Sequence, residues 1–150
     1  MALEIERKFL VTGDAWRMSI THTMDLRQFY LARASAATVR VRITDDTSGV
    51  LTVKGTRSGM SRPEYEWDIG IEEAREMEAL AQGAVIAKQR HLVPMGAFTW
   101  EVDVFHMPEG LVLAEIELPA PDAPFDRPDW LGDEVTDDPR YYNAALAASG

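Results

Sequence analysis

The chain has 150 residues, with 15 Lys+Arg against 25 Asp+Glu and a formal net charge of -10. That acidity argues against nonspecific binding to nucleic acid or to an anionic membrane, both of which need basic surface. The lack of cysteine excludes disulfides, thiolate metal sites and a cysteine nucleophile. No apolar stretch approaches the roughly 20 residues that span a bilayer, and charges from Glu4 to Lys8 interrupt any secretory signal. A single cytoplasmic domain over residues 1–150 is expected.

Alternation of polar and apolar residues dominates the chain and predicts strands. In chain order these are Glu4 to Val11, a poorer segment at Gln28 to Leu31, Val39 to Ile43, Leu51 to Lys54, and Glu64 to Ile69. Ala87 to Val93, Phe98 to Val104 and Leu113 to Leu118 complete about eight. A short helical turn is weakly signalled at Asp14 to Met18. The apolar spacing of Ile71, Ala74, Met77, Leu80 and Ala81 predicts a helix over 71–84. Asp138-Pro139 starts a second helix, with Tyr142, Ala145 and Leu146 as its packing stripe. Asp45 to Gly49 reads as a hairpin turn, and Gly55 to Pro63 as a hairpin connection whose Arg57 and Arg62 are within reach of a substrate. The run from Pro119 to Asp138, with four prolines, reads as loop with a covering segment at Trp130 and Leu131. Trp67 and Trp100 fall on apolar faces as outer packing. His22, His91 and His106 lack metal-ligand spacing.

The charged rows of these strands hold Glu4, Glu6, Lys8, Arg40, Arg42, Lys54, Glu64, Glu66, Lys88, Arg90, Glu101, Asp103, Glu115 and Glu117. All three lysines of the chain are among them. A solvated sheet face would account for any one strand. It does not account for like-charge pairs two residues apart at Glu4/Glu6, Arg40/Arg42, Glu64/Glu66, Glu101/Asp103 and Glu115/Glu117, because such pairs repel. Clustered carboxylates suit a hard divalent cation, and clustered Arg and Lys suit phosphate. A closed barrel presenting both sets inward would hold a metal-bound polyphosphate.

With Glu4-Ile5-Glu6-Arg7-Lys8 at its start, the sequence resembles the CYTH superfamily, the triphosphate tunnel metalloenzymes. The resemblance continues in order through Gln28-Phe29-Tyr30-Leu31, Arg40-Val41-Arg42, Thr52-Val53-Lys54-Gly55, Glu64-Tyr65-Glu66, Lys88-Gln89-Arg90, Glu101-Val102-Asp103, Glu115-Ile116-Glu117 and the segment Glu134 to Asn143. It implies an α+β, mainly antiparallel fold: a closed eight-stranded barrel forming a tunnel with a charged lumen and a few peripheral helices. The implied reaction is hydrolysis of inorganic triphosphate with Mg²⁺ or Mn²⁺, two ions being expected. Carried over residue by residue, Glu4, Glu6, Asp103, Glu115 and Glu117 are the implied metal ligands. Lys8, Arg40, Arg42, Lys54, Lys88 and Arg90 are the implied phosphate contacts, and Glu64, Glu66 and Glu101 the supporting residues. The catalytic burden falls on Glu4, Glu6, Lys8, Lys88 and Glu117. A small-molecule polyphosphate or triphosphate is the expected partner, and a homodimer is compatible with the resemblance. Rival readings on the same scaffold are a class IV-type adenylyl cyclase, a nucleoside or thiamine triphosphatase, and a polyphosphate-binding module without turnover.

Overall fold

The structure, a computed structural model, describes residues 3–148. A strand that carries charge on one side and bulk on the other can shelter both sides only if its sheet closes around the charged rows. The chain does this. Its elements are β1 (Leu3–Val11), β2 (His22–Arg33), β3 (Ala37–Thr44), β4 (Ser48–Gly55), β5 (Ser61–Ile69), α1 (Ile71–Met77), β6 (Gln82–Met95), β7 (Phe98–Met107), β8 (Val112–Glu117), β9 (Leu131–Glu134) and α2 (Asn143–Ala148). Antiparallel pairing runs in the order β5-β4-β3-β2-β6-β7-β8-β1, and pairing of Leu3, Glu4 and Ile5 with Pro63, Arg62 and Ser61 closes the ring. The result is the expected eight-stranded barrel, with β9 added alongside β1.

The apolar rows face outward and are covered by two patches of chain. On the β1, β6, β7 and β8 side, Phe9, Trp100, Val102 and Ile116 pack under the turn at Ala15–Ser19 and the proline-rich segment after β8. Trp100 is the hub, with ring centroids 5.6 Å from Phe9, 5.8 Å from Phe125 and 5.7 Å from Trp130, all edge-on, the arrangement aromatic quadrupoles favour. On the β2, β3 and β4 side, α1 covers Phe29, Val41 and Ile43. Ala74 of α1 lies so close to β4 that a side chain at Gly49 would meet its Cβ at 2.8 Å, so glycine there sets the helix's approach. A third cluster, of Tyr30, Ile86, Phe105 and Leu113 with Val135 and Leu146, forms an apolar floor covered by α2.

Several expectations need correction. The run read as loop contributes β9, because the edge of β1 that pairs with β5 only over Leu3 to Ile5 continues to Val11 and its backbone groups need partners. Thr12 N–H donates to the Trp130 carbonyl at 2.8 Å, and Val135 N–H to that of Lys8 at 2.8 Å. The first helix stops at Met77, followed by a 3-10 turn at Glu78–Leu80 rather than helix through Ala84. Gly83, with φ of 80°, then lies near the start of β6, which runs 14 residues. Asp138-Pro139 opens a 3-10 turn, Pro139–Tyr141, with the Asp138 carboxylate accepting from Arg140 N–H at 3.1 Å; α2 begins only at Asn143. Trp67 is 53% exposed, since neither covering patch reaches the outer face of β5.

Candidate active site

Register across the barrel brings the charged rows together. Glu6 stands opposite Glu117 and Lys8 opposite Glu115 across β1 and β8. Glu101 stands opposite Glu115 across β7 and β8, and Arg90 opposite Asp103 across β6 and β7. On the other wall Arg40 faces Thr52, Thr52 faces Glu66, and Lys54 faces Glu64. Glu4, Glu6, Glu115, Glu117, Arg40, Arg42, Lys54, Arg90, Glu64, Glu66 and Glu101 line one cavity of about 120 Å³ inside the barrel, together with Asn143. Eleven of the fourteen residues of the charged rows therefore share one chamber. Lys8 lines the adjoining cavity of about 210 Å³, which shares Glu6, Lys54 and Asn143 with the first.

Lys88 and Asp103 line neither cavity. Their side chains are sealed, 0% and 1% exposed, with Lys88 Nζ 2.7 Å from Asp103 Oδ2. The Arg90 guanidinium also grips Asp103, Nε and Nη2 each at 2.9 Å, and donates through Nη1 to Glu101 at 3.1 Å. Despite burial, Arg90 and Lys88 hold the Asp103 carboxyl below its usual range. Burial pulls the Lys88 ammonium down to about 8, with Asp103 opposing. In this arrangement Asp103 braces the base of Arg90, and its oxygens are committed to cations of the protein.

The carboxylates inside the chamber are strained by one another. Burial, then Glu115 and Glu4, push Glu6 well above the usual carboxylate range. Glu115 lies well below that range despite its burial, held there by Lys8 and Lys88 and by a hydrogen bond from Glu6. Glu117 is raised by burial and by Glu4 and Glu66, and Glu101 chiefly by burial. Burial and Glu4 push Glu64 up to about 7, so Glu64 serves as the donor to Glu4. Against burial, that hydrogen bond and Lys54 hold Glu4 at about 2. Lys54 Nζ lies 2.8 Å from Glu4 and 3.4 Å from Glu64.

The basic side is unsatisfied in a complementary way. Arg42 is pushed down to about 10 by burial and by neighbouring Arg40 and Arg90. The Nε groups of both Arg40 and Arg42 are buried without a hydrogen-bond partner. Arg40 Nη2 reaches Thr52 Oγ1 at 3.4 Å, and Thr52 in turn donates to Glu66 at 3.1 Å. Buried donors without partners are costly, and a bound anion would satisfy them. Thr52 and Asn143 are site residues that sequence reasoning missed. Thr52 alternates in phase with Lys54, which was the available signal, whereas Asn143 is marked only as the last residue of the Glu134 to Asn143 segment.

These residues fit a divalent cation by their chemistry. Glu6 and Glu117 are directly opposed oxygen donors with raised proton affinity, and a hard cation relieves both. Among the described residues, no three acidic or histidine side chains stand ready-grouped around a common ion position. Lys54 holds the Glu4 oxygens, so a cation at Glu4 requires Lys54 to turn away.

The CYTH domain family matches residues 2–142 of the chain. An inorganic triphosphatase of Acetivibrio thermocellus is 50% identical over 148 residues, covering 97% of this chain and 94% of that protein. One of Nitrosomonas europaea is 35% identical over 152 residues, covering 97% of each. Among solved structures, a crystal structure of an inorganic triphosphatase superposes with a TM-score of 0.69 at 35% identity, covering 98% of this chain and 99% of that one. A barrel closed around opposed rows of carboxylates and guanidiniums, matched over nearly its whole length, places this chain in the CYTH domain family.

Proposed function

We propose that the chain is a divalent-metal-dependent hydrolase that cleaves inorganic triphosphate to pyrophosphate and phosphate within the barrel. The single observation that carries this reading is the chamber shared by Glu4, Glu6, Glu115 and Glu117 with Arg40, Arg42 and Arg90. The names of the two relatives, both inorganic triphosphatases, support the choice of substrate. All the proposed site residues belong to one barrel, which we take as one functional unit over residues 1–150.

Glu4, Glu6, Glu115 and Glu117 would hold Mg²⁺ or Mn²⁺. Such an ion, when bound, neutralises phosphate oxygens and lowers the pKa of a water. The protein's own part is positioning and charge stabilisation, which phosphoryl transfer chiefly requires. Arg40 and Arg42 supply forked donors to phosphate oxygens, and Lys54, released from Glu4, supplies a point charge. Lys8 adds a further charge next to Glu115, its Nζ held at 2.8 Å by the Tyr141 carbonyl. Arg90, locked onto Asp103, presents its remaining donor edge to the chamber as a rigid contact. Lys88 acts at one remove, by holding Asp103. A carboxylate with raised proton affinity is suited to accept the proton of the attacking water, and Glu6, Glu64, Glu101 and Glu117 all have that property.

The test incubates purified protein and Mg²⁺ or Mn²⁺ with tripolyphosphate, ATP and thiamine triphosphate in turn, and measures phosphate, pyrophosphate and cyclic AMP. Tripolyphosphate should be the best substrate, yielding phosphate and pyrophosphate. Efficient cleavage of ATP or thiamine triphosphate with tripolyphosphate left intact would overturn the substrate, and cyclic AMP would move the chain to a cyclase.

A further inference from the structure

The second cavity extends the chamber toward the connection between β4 and β5. Arg57 and Arg62 stand on its wall beside Lys8, Lys54 and Tyr142. Arg62 is pinned, its Nε and Nη2 donating to the Gly55 carbonyl at 3.2 and 2.9 Å. The Arg57 guanidinium carbon lies 4.6 Å from the centre of the Tyr142 ring, a cation–π contact that helps hold the side chain in place. Its Nε and Nη1 are nevertheless buried with no hydrogen-bond partner. Among the described residues neither arginine makes a salt bridge. They are close enough that burial and the Arg57 charge together lower the proton affinity of Arg62.

The two guanidiniums repel, a cost that the charges of Glu4 and Glu6 offset only in part, since Arg62 still has its proton affinity lowered, and the buried donors of Arg57 lack acceptors. An anion rich in oxygens removes both penalties, because a guanidinium has five donors in a fixed fork that matches phosphate. Glu6 also lines this cavity, and the chamber it adjoins carries the exposed carboxylates Glu66 and Glu117.

We propose that Arg57 and Arg62 form a subsite for a terminal phosphate of a linear polyphosphate, in the cavity that adjoins the carboxylate-lined chamber. This rests on the triphosphatase reading and adds to it the place where one end of the substrate lies. Arg57 binds and orients; it takes no part in bond cleavage. The aromatic platform of Tyr142 presets the guanidinium, so little rotamer entropy is lost when phosphate arrives.

The experiment compares wild type, Arg57→Ala and Arg57→Lys by steady-state hydrolysis of tripolyphosphate with Mg²⁺. It also measures calorimetric binding of tripolyphosphate without metal, and thermal melting. Loss of a charge-assisted phosphate contact should raise KM about tenfold in Arg57→Ala with kcat within about twofold. Metal-free binding should weaken in parallel and the melting temperature should stay unchanged. Arg57→Lys should recover part of the affinity. Wild-type KM and binding in Arg57→Ala would overturn the subsite. So would a fall in affinity matched by a fall in melting temperature and not rescued by lysine, since that is a structural role. If the wild type binds tripolyphosphate without cleaving it and Arg57→Ala still weakens binding, the subsite stands and the hydrolase reading falls.

Discussion

Glu6 on β1 and Glu117 on β8 are directly opposed in the ladder, two carboxylates facing each other inside the barrel. Cross-strand pairs of like charge destabilise a sheet, so this pair has a stability cost that a cation bound between them would offset. Glu6→Gln and Glu117→Gln should each lower kcat by at least about 100-fold, given the several kcal/mol a metal supplies to charge stabilisation. Circular dichroism should show the fold retained. Phosphate release from tripolyphosphate at saturating Mg²⁺ checks this, and undiminished turnover in both variants would remove the metal assignment.

Arg42 is buried, deprived of part of its proton affinity by Arg40 and Arg90, and lacks a partner at Nε. Arg42→Ala should therefore lower kcat/KM about 10- to 100-fold, the range for losing a hydrogen bond to a charged group. Because repulsion from Arg40 and Arg90 also goes, the metal-free protein should become no less stable. Kinetics and urea unfolding of the same variant separate the two effects.

Asp103 offers the opposite case. It is sealed between Lys88 and Arg90, so Asp103→Ala strands two buried cations. Removing one partner of a buried ionic group costs about 3–5 kcal/mol, to be read as a lower urea midpoint at constant slope. Activity should also fall, through misplaced Arg90. If Asp103→Ala unfolds like the wild type, the sealed triad is not a structural brace.

The pH dependence follows from the carboxylates whose proton affinity folding raises. Glu64 at about 7, with Glu6, Glu101 and Glu117 also raised above 4.5, hold protons that the unfolded chain has released by neutral pH. In the window from about pH 4.5 to 7 these four carboxylates bind more protons in the folded state, so their contribution to stability falls as pH rises, opposed in part by His91, whose proton affinity burial lowers. Glu4, held at about 2, acts in the opposite sense but only below about pH 4.5. Metal-free protein should thus melt at a lower temperature at pH 7.5 than at pH 5, and Glu64→Gln should lessen the difference. Mn²⁺ should raise the melting temperature more at pH 7.5, where its ligands need displace fewer protons. A metal effect equal at both pH values would contradict the ligand set.

Much of this chamber is legible in the sequence because alternation reports which face of a strand a residue occupies. Glu4, Glu6, Arg40, Arg42, Lys54, Glu115 and Glu117 all reach the lumen as their phase requires. Phase does not report depth. Lys88 and Asp103 share the charged row yet sit sealed behind the cavity wall, where only the three-dimensional register with Arg90 reveals their pairing. Strand β9 carries no alternation, since Leu131-Gly132-Asp133-Glu134 forms to satisfy the backbone of β1 rather than to bury a face. The early end of α1 is likewise tertiary: Ala81 to Ala84 keep helical spacing, but the long β6 begins among them because β2 offers a ladder back to Gln82. Trp67 looks like packing by its phase and stays exposed because α1 and the proline-rich segment cover other sectors.

The central claim, that opposed carboxylates and guanidiniums in one barrel serve hydrolysis of inorganic triphosphate, is tested most directly by phosphorus NMR of tripolyphosphate incubated with the protein and Mg²⁺. The account predicts phosphate and pyrophosphate appearing in equal amounts, with both signals absent when metal is chelated or Glu6→Gln replaces the wild type. Intact tripolyphosphate after prolonged incubation of folded, metal-loaded protein would contradict it.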